Sequence, residues 1–130
     1  MDTAITITAD DFCLQIGRPE IGEERIGSFV VRLDYLGGTF AVEDCTLWPG
    51  SDFADQMQAL YDKLGGYAVY VDMNKDFALE LKSTTVGHID LKIDLHRRGT
   101  RGDLTVTAST TIDQSYLPAI IVAWRRYFVT

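Results

Sequence analysis

The chain has 130 residues, 46% of them hydrophobic and 24% charged, and a formal net charge of -7 at pH 7. That length buries a full core without disulfide or metal staples, and the apolar-to-charged balance excludes a disordered chain. The negative charge argues against nucleic acid or an anionic membrane surface as partner, because both recruit Lys and Arg, and it suits a basic protein partner.

No apolar run approaches the roughly 20 residues needed to cross a bilayer. The opening "MDTAITITADD" has neither the basic start nor the continuous apolar stretch of a secretory signal, so cytoplasm is the expected compartment. Cys13 and Cys45 fit a reduced compartment, and neither chain size nor spacing demands a disulfide. There is no linker, repeat or low-complexity segment, which predicts one domain over residues 1–130.

The first half reads as strands. "AITIT" (4–8) alternates isoleucine with threonine, and Ala9-Asp10-Asp11 turns the chain into "FCLQI" (12–16), with Phe12, Leu14 and Ile16 on one face. "GRPEIGEER" (17–25) is an exposed loop by its Gly, Pro and charges. "IGSFVVRLDY" places Phe29, Val31, Leu33 and Tyr35 on one side, and Gly37-Gly38 signals a two-residue hairpin loop, since both positions need positive φ. "TFAVEDCTL" returns with Phe40 and Val42 inward. Cys45 and Leu47 have the opposite parity, which predicts a bulge near Glu43-Asp44 or the strand's end there.

A helix follows over 49–66. Ser51 is its expected N-cap, Asp52 and Asp55 suit the positive end of the helix dipole, and Phe53, Met57, Leu60, Tyr61 and Leu64 form an apolar stripe ended by Gly65-Gly66. Strands resume with "YAVYV" (67–71), a turn at "DMNKD", "FALELK" (77–82), the alternating "VGHIDLKIDL" (86–95) and "DLTVTAST" (103–110). The last segment carries Leu117, Ile120, Ile121, Trp124 and Phe128 at helical spacing. About eight strands and two amphipathic helices without a βαβ rhythm predict an α+β fold, mainly antiparallel sheet with the helices packed on it.

Candidate chemistry is sparse. His88, Asp90, Asp94 and His96 share one strand face, but Lys92 between the aspartates would repel a metal ion, so this is read as a solvent face. In "TTIDQSYLP", Ser115 has an acidic neighbour in Asp113 but no histidine base close in sequence and no nucleophile elbow. Asp113 or Ser115 as helix cap, a Thr111–Gln114 capping box and Pro118 in the first turn explain those residues better, leaving Tyr116 without a role. No metal site, phosphate loop or cofactor motif is present in the sequence. Trp48 and Tyr70 are candidate contact aromatics.

The stretch "LGGTFAVEDCTLWPGSDFADQMQALYDKLGG" resembles a pattern in small bacterial proteins of the WapI-type immunity group and related uncharacterised families. The shared features are the Gly-Gly turn, a strand with an aromatic, the step from Asp44 to Leu47, and a helix opening on Asp52-Phe53. The group's late-helix tryptophan is absent; Tyr61 is the nearest aromatic. The resemblance implies non-enzymatic binding and neutralisation of a toxin domain, and the chain's charge suits a basic toxin. Acidic residues are then the expected partner contacts: Glu20, Glu23 and Glu24 on the loop, and Asp90 and Asp94 on the strand face. Two other readings remain open on residues alone: a small-molecule-binding domain or minor enzyme with a cavity between helix and sheet, and self-association through a strand edge.

Overall fold

The structure, a computed structural model, describes residues 2–21, 27–48, 51–85 and 87–128. Two antiparallel sheets follow one another along the chain. The first contains β1 (Thr3–Ala9), β2 (Phe12–Gly17), the two-residue β3 (Glu20–Ile21), β4 (Gly27–Tyr35) and β5 (Gly38–Thr46). Both β2 and β3 pair with β4, through Val31–Asp34 and Gly27–Ser28 respectively, while β5 runs along the other edge of β4. The second sheet is a meander in sequence order, β6 (Tyr67–Val71), β7 (Phe77–Thr85), β8 (His88–Arg98) and β9 (Asp103–Asp113). Helix α1 (Phe53–Lys63) connects the sheets and α2 (Leu117–Tyr127) closes the chain against α1 and β1.

The expected α+β class, with mostly antiparallel sheet and two helices, is what the structure has. Alternation places Ile5, Ile7, Phe12, Leu14, Ile16, Phe29, Val31 and Leu33 of the first sheet in the core, facing Leu79, Leu81, Ile89, Leu91, Ile93 and Leu95 of the second. Trp124 of α2 joins the layers, with ring centroids 4.7 Å from Phe53, 4.8 Å from Tyr70 and 4.3 Å from Phe128. All five apolar positions predicted for the last helix are buried.

Four local expectations shift. The hairpin loop between β4 and β5 is Leu36-Gly37, at φ +50° and +82°, while Gly38 already pairs with Tyr35. The apolar stripe of α1 is narrower than predicted, because Tyr61 and Leu64 are exposed and Ala54 is buried instead. Its left-handed terminal residue is Leu64, at φ 54°, rather than one of the glycines that follow it directly. Asp52 occupies the N-cap position, but Ser51 Oγ still accepts the Phe53 amide at 3.2 Å.

The bulge expected at Glu43-Asp44 is there. Phe29 pairs with Cys45 and Val31 with Val42, so three steps on β5 match two on β4. The extra residue flips the strand's parity, which carries Cys45 and Leu47 inward and leaves Glu43 and Asp44 exposed side by side.

Candidate functional site

The most constrained group in the molecule is a carboxylate that the sequence reading passed over. Asp72 directly follows β6 and is 2% exposed. Its Oδ1 accepts the amides of Asp76 at 2.7 Å and Phe77 at 3.0 Å, and its Oδ2 accepts those of Thr46 at 2.9 Å and Asn74 at 3.3 Å. Four amide donors compensate the cost of burying the charge. The turn between β6 and β7 is thereby tied to the end of β5. Met73 N also donates to the Thr46 carbonyl at 3.0 Å, and Asn74 Nδ2 reaches the Asp44 carbonyl at 3.1 Å and Thr46 Oγ1 at 2.7 Å.

Two features adjoin this clamp. Asp2, Glu20, Glu43 and Asp44 line a groove of about 550 Å3 with Arg18, so four acids face one base. A second hollow of about 290 Å3 shares Glu43 and Asp44 and adds Asp76, His96, Arg97 and Arg98. There Arg98 Nε lies 3.4 Å from Asp76, and His96 Nε2 lies 3.3 Å from Asp103, both at ion-pair distance without hydrogen-bond alignment. Asp72 itself also lines a cleft of about 320 Å3, together with Trp48, Val69, Val71, Met73, Asp52 and Lys75. Trp48 is 47% exposed, and its amide donates to Tyr70 Oη at 3.1 Å. Tyr70 itself is core: burial, reinforced by the Asp72 charge, pushes its phenol up to about 12.

The acids predicted as partner contacts fall in different places. Glu20 lies in the acidic groove. Glu23 and Glu24 fall in 22–26, outside the described residues. Asp90 and Asp94 lie on the outer face of β8, where Asp90 stands opposite Lys82 and Thr111, and Lys92 stands between the two aspartates opposite Glu80. Thr111 Oγ1 donates to Asp90 at 3.2 Å and Thr107 Oγ1 to Asp94 at 2.6 Å. This face is a ladder of mixed charge, whereas the groove at Glu20 is predominantly acidic. Glu43 and Asp44 were missed because a strand position reads as structural; the parity break at the bulge was the available signal. Asp72 gave none, since an aspartate in a polar turn is normally exposed.

At "TTIDQSYLP" the capping reading holds in part. Asp113 Oδ1 accepts the Ser115 amide at 2.8 Å, starting a 3-10 turn over Gln114–Tyr116 that runs into α2, and Pro118 sits in the helix's first turn. Thr111 instead bonds Asp90, so no capping box forms with Gln114. Cross-strand pairing brings His88 opposite Asp113, a neighbour invisible in linear sequence. The Ser115 hydrogen bonds, chiefly from its amide, hold the Asp113 carboxyl below its usual range, and His88 adds to this. Ser115 therefore points its polar groups at a carboxylate, not at an imidazole base, and the arrangement is that of a cap. Tyr116 is exposed and lines a shallow groove between β1 and α2.

Cys13 and Cys45 are free thiols, the first half-buried and the second in the core, where burial pushes the thiol well above its ordinary range. Among the described residues no group of three or more His, Cys, Asp or Glu could hold a metal ion, and no helix is long and apolar enough to cross a membrane.

The family model described as "Immunity protein WapI-like family" matches residues 27–129. The chain belongs to that family. No curated protein and no solved structure matches it. The matched span begins at β4 and ends just past α2, so it contains the Asp72 clamp, the Trp48 cleft, Asp90 and Asp94, while Glu20 lies outside it.

Proposed function

We propose that this chain is a single-domain immunity protein that binds and neutralises a cognate toxin domain in the cytoplasm of the producing cell, without catalysis. The observation that carries this reading is the immunity-family match over residues 27–129. The acidic groove supports a basic toxin as the partner. Four carboxylates against one guanidinium, on a chain of net charge -7, favour encounter with a positive surface and disfavour a negative one. Glu20 is the predicted contact in this groove, with Glu23 and Glu24 as further acidic contacts. Asp90 and Asp94 contribute less, because Lys82 and Lys92 share their face.

The deciding experiment is to look beside this chain's gene for one encoding a large secreted protein with a variable C-terminal domain, and to co-express that C-terminal domain with this chain. Cells producing that domain alone should stop growing, and those also producing this chain should grow. Purified together, the two should form a stoichiometric complex. Growth arrest despite soluble, folded immunity protein overturns the reading.

A further inference from the structure

The acidic groove accounts for charge but not for an apolar corner at the Asp72 clamp. The outer faces of β7 and β8 are charged, with Glu80, Lys82, Asp90, Lys92 and Asp94. The outer face of the neighbouring edge strand β6 is Tyr67, Val69 and Val71, with Tyr67 and Val71 exposed. Trp48 and Met73, the latter 46% exposed, extend this surface from the flanking connections and close the 320 Å3 cleft. Exposed Trp48, Val71 and Met73 gathered in one cleft with a polar rim suit a protein contact, and Trp and Met are residue types enriched in interface centres.

The cleft is also preorganised. Trp48 is fixed through its amide to Tyr70, and Met73 through its amide to Thr46, whose own amide is held by Asp72. Side chains presented from a backbone already ordered lose less entropy on binding. The cleft's polar atoms are largely used within the chain: Asp72 by four amides, and Asp52 by Gln56 Nε2 at 3.0 Å. A small polar ligand would find few free groups to orient it, whereas an apolar side chain needs none.

We infer that the Trp48–Met73 cleft is the anchor point of the toxin interface, taking one bulky apolar side chain from a basic toxin surface. The inference rests on the immunity reading and adds where the binding energy is concentrated. Charge sets the partner's chemistry. At the cleft Lys75 balances the exposed Asp52, while Asp72 is buried among its four amides. The exposed acids Glu43 and Asp44, which precede Trp48 on the same strand and its extension, tip the margin negative. An apolar centre with an acidic margin therefore meets an apolar residue flanked by Lys or Arg. The interface has the anatomy of a desolvated centre and a charged rim.

The test uses the same toxin domain as probe. Hydroxyl-radical footprinting of the wild-type complex should show Trp48 and Met73 protected from oxidation relative to the free protein. Trp48→Ala and Met73→Glu, checked for unchanged melting temperature, should each weaken the complex at least ~20-fold, mainly by faster dissociation. Tyr116→Ala, in the groove between β1 and α2, should leave affinity unchanged. Wild-type binding with no protection at Trp48 and Met73 overturns this inference and leaves the immunity reading standing. Failure of the wild-type protein to bind the domain at all overturns both.

Discussion

The carboxylate of Asp72 accepts the backbone amide of Thr46 at 2.9 Å, across the gap between the two sheets. The remaining three acceptor bonds of that carboxylate stay within the turn that follows it, so one side chain both shapes the turn and anchors it to β5. Asp72→Ala should therefore cost about 3–5 kcal/mol, because it strands four amides, several of them shielded from water. Asp72→Asn should recover less than half of that, since its NH2 would meet two amide donors where an oxygen now accepts. The midpoint and slope of urea unfolding measure both; a loss under about 1 kcal/mol for the alanine variant rules out the clamp as an important contribution.

Tyr70 makes alkaline stability a second readout of the same region. Its folded pKa, near 12, lies above the ordinary phenol value of 10. The folded state therefore holds the proton more tightly, so the contribution is fully present below pH 10 and is lost as pH rises from 10 through 12. A two-unit difference corresponds to about 3 kcal/mol at most. Cys45, raised by burial and by Asp72, acts in the same direction starting near its ordinary value of 9.0. Tyr70→Phe should lower stability by about 1 kcal/mol at neutral pH, through the lost acceptor for Trp48, yet flatten the decline between pH 10 and 12. Unfolding midpoints at pH 8 and 11.5 for both proteins decide it; parallel declines contradict the assignment.

Leu36 sits at φ +50° in the hairpin loop and is 75% exposed. A leucine in that conformation carries steric cost without compensating burial. Leu36→Asn would create Asn-Gly, the preferred pair for a loop with positive φ at both positions. The expected gain is about 0.5–1 kcal/mol, seen as a melting temperature about 2–5 °C higher. An unchanged or lower melting temperature would falsify the strain.

The positions of strands and helices were legible because alternation and helical spacing are properties of neighbouring residues. Leu117, Ile120, Ile121, Trp124 and Phe128 needed only their spacing, and the Glu43-Asp44 bulge only a change of parity. What stayed hidden depends on residues far apart in sequence. Asp72 and Thr46 are 26 positions apart, and nothing near either says that a carboxylate will be buried. The hairpin loop moved by one residue because Gly38 was read as needing positive φ, while the pairing of Tyr35 with Gly38 put that demand on Leu36. For the candidate site, sequence proposed Glu20 and raised Trp48, but it could not say that Glu43 and Asp44 line one groove with the first or that Val71 and Met73 line one cleft with the second. It placed Asp90 and Asp94 on a solvent face with Lys92 between them, but could not show that register sets Lys82 opposite the first and Thr107 opposite the second.

Those neighbours separate two acidic surfaces by their expected kinetics. Reversing Glu20, Glu43 and Asp44 to Lys takes the net charge from -7 to -1, two units per reversal, and inverts the groove's field. Association with a basic toxin domain should slow by about tenfold or more at low ionic strength, with a smaller change in dissociation, because rim charges act mainly on encounter. Added salt should shrink the difference as the screening length falls from about 30 Å at 0.01 M to about 8 Å at 0.15 M. Asp90→Lys with Asp94→Lys changes the net charge by four units on a face where Lys82 and Lys92 already offset two of the three acids Glu80, Asp90 and Asp94, so its effect on association should be smaller per unit of charge. Stopped-flow rates across a salt series measure both variants. Equal effects per charge would mean that only net charge matters, and that the groove at Glu20 has no place of its own in steering the toxin.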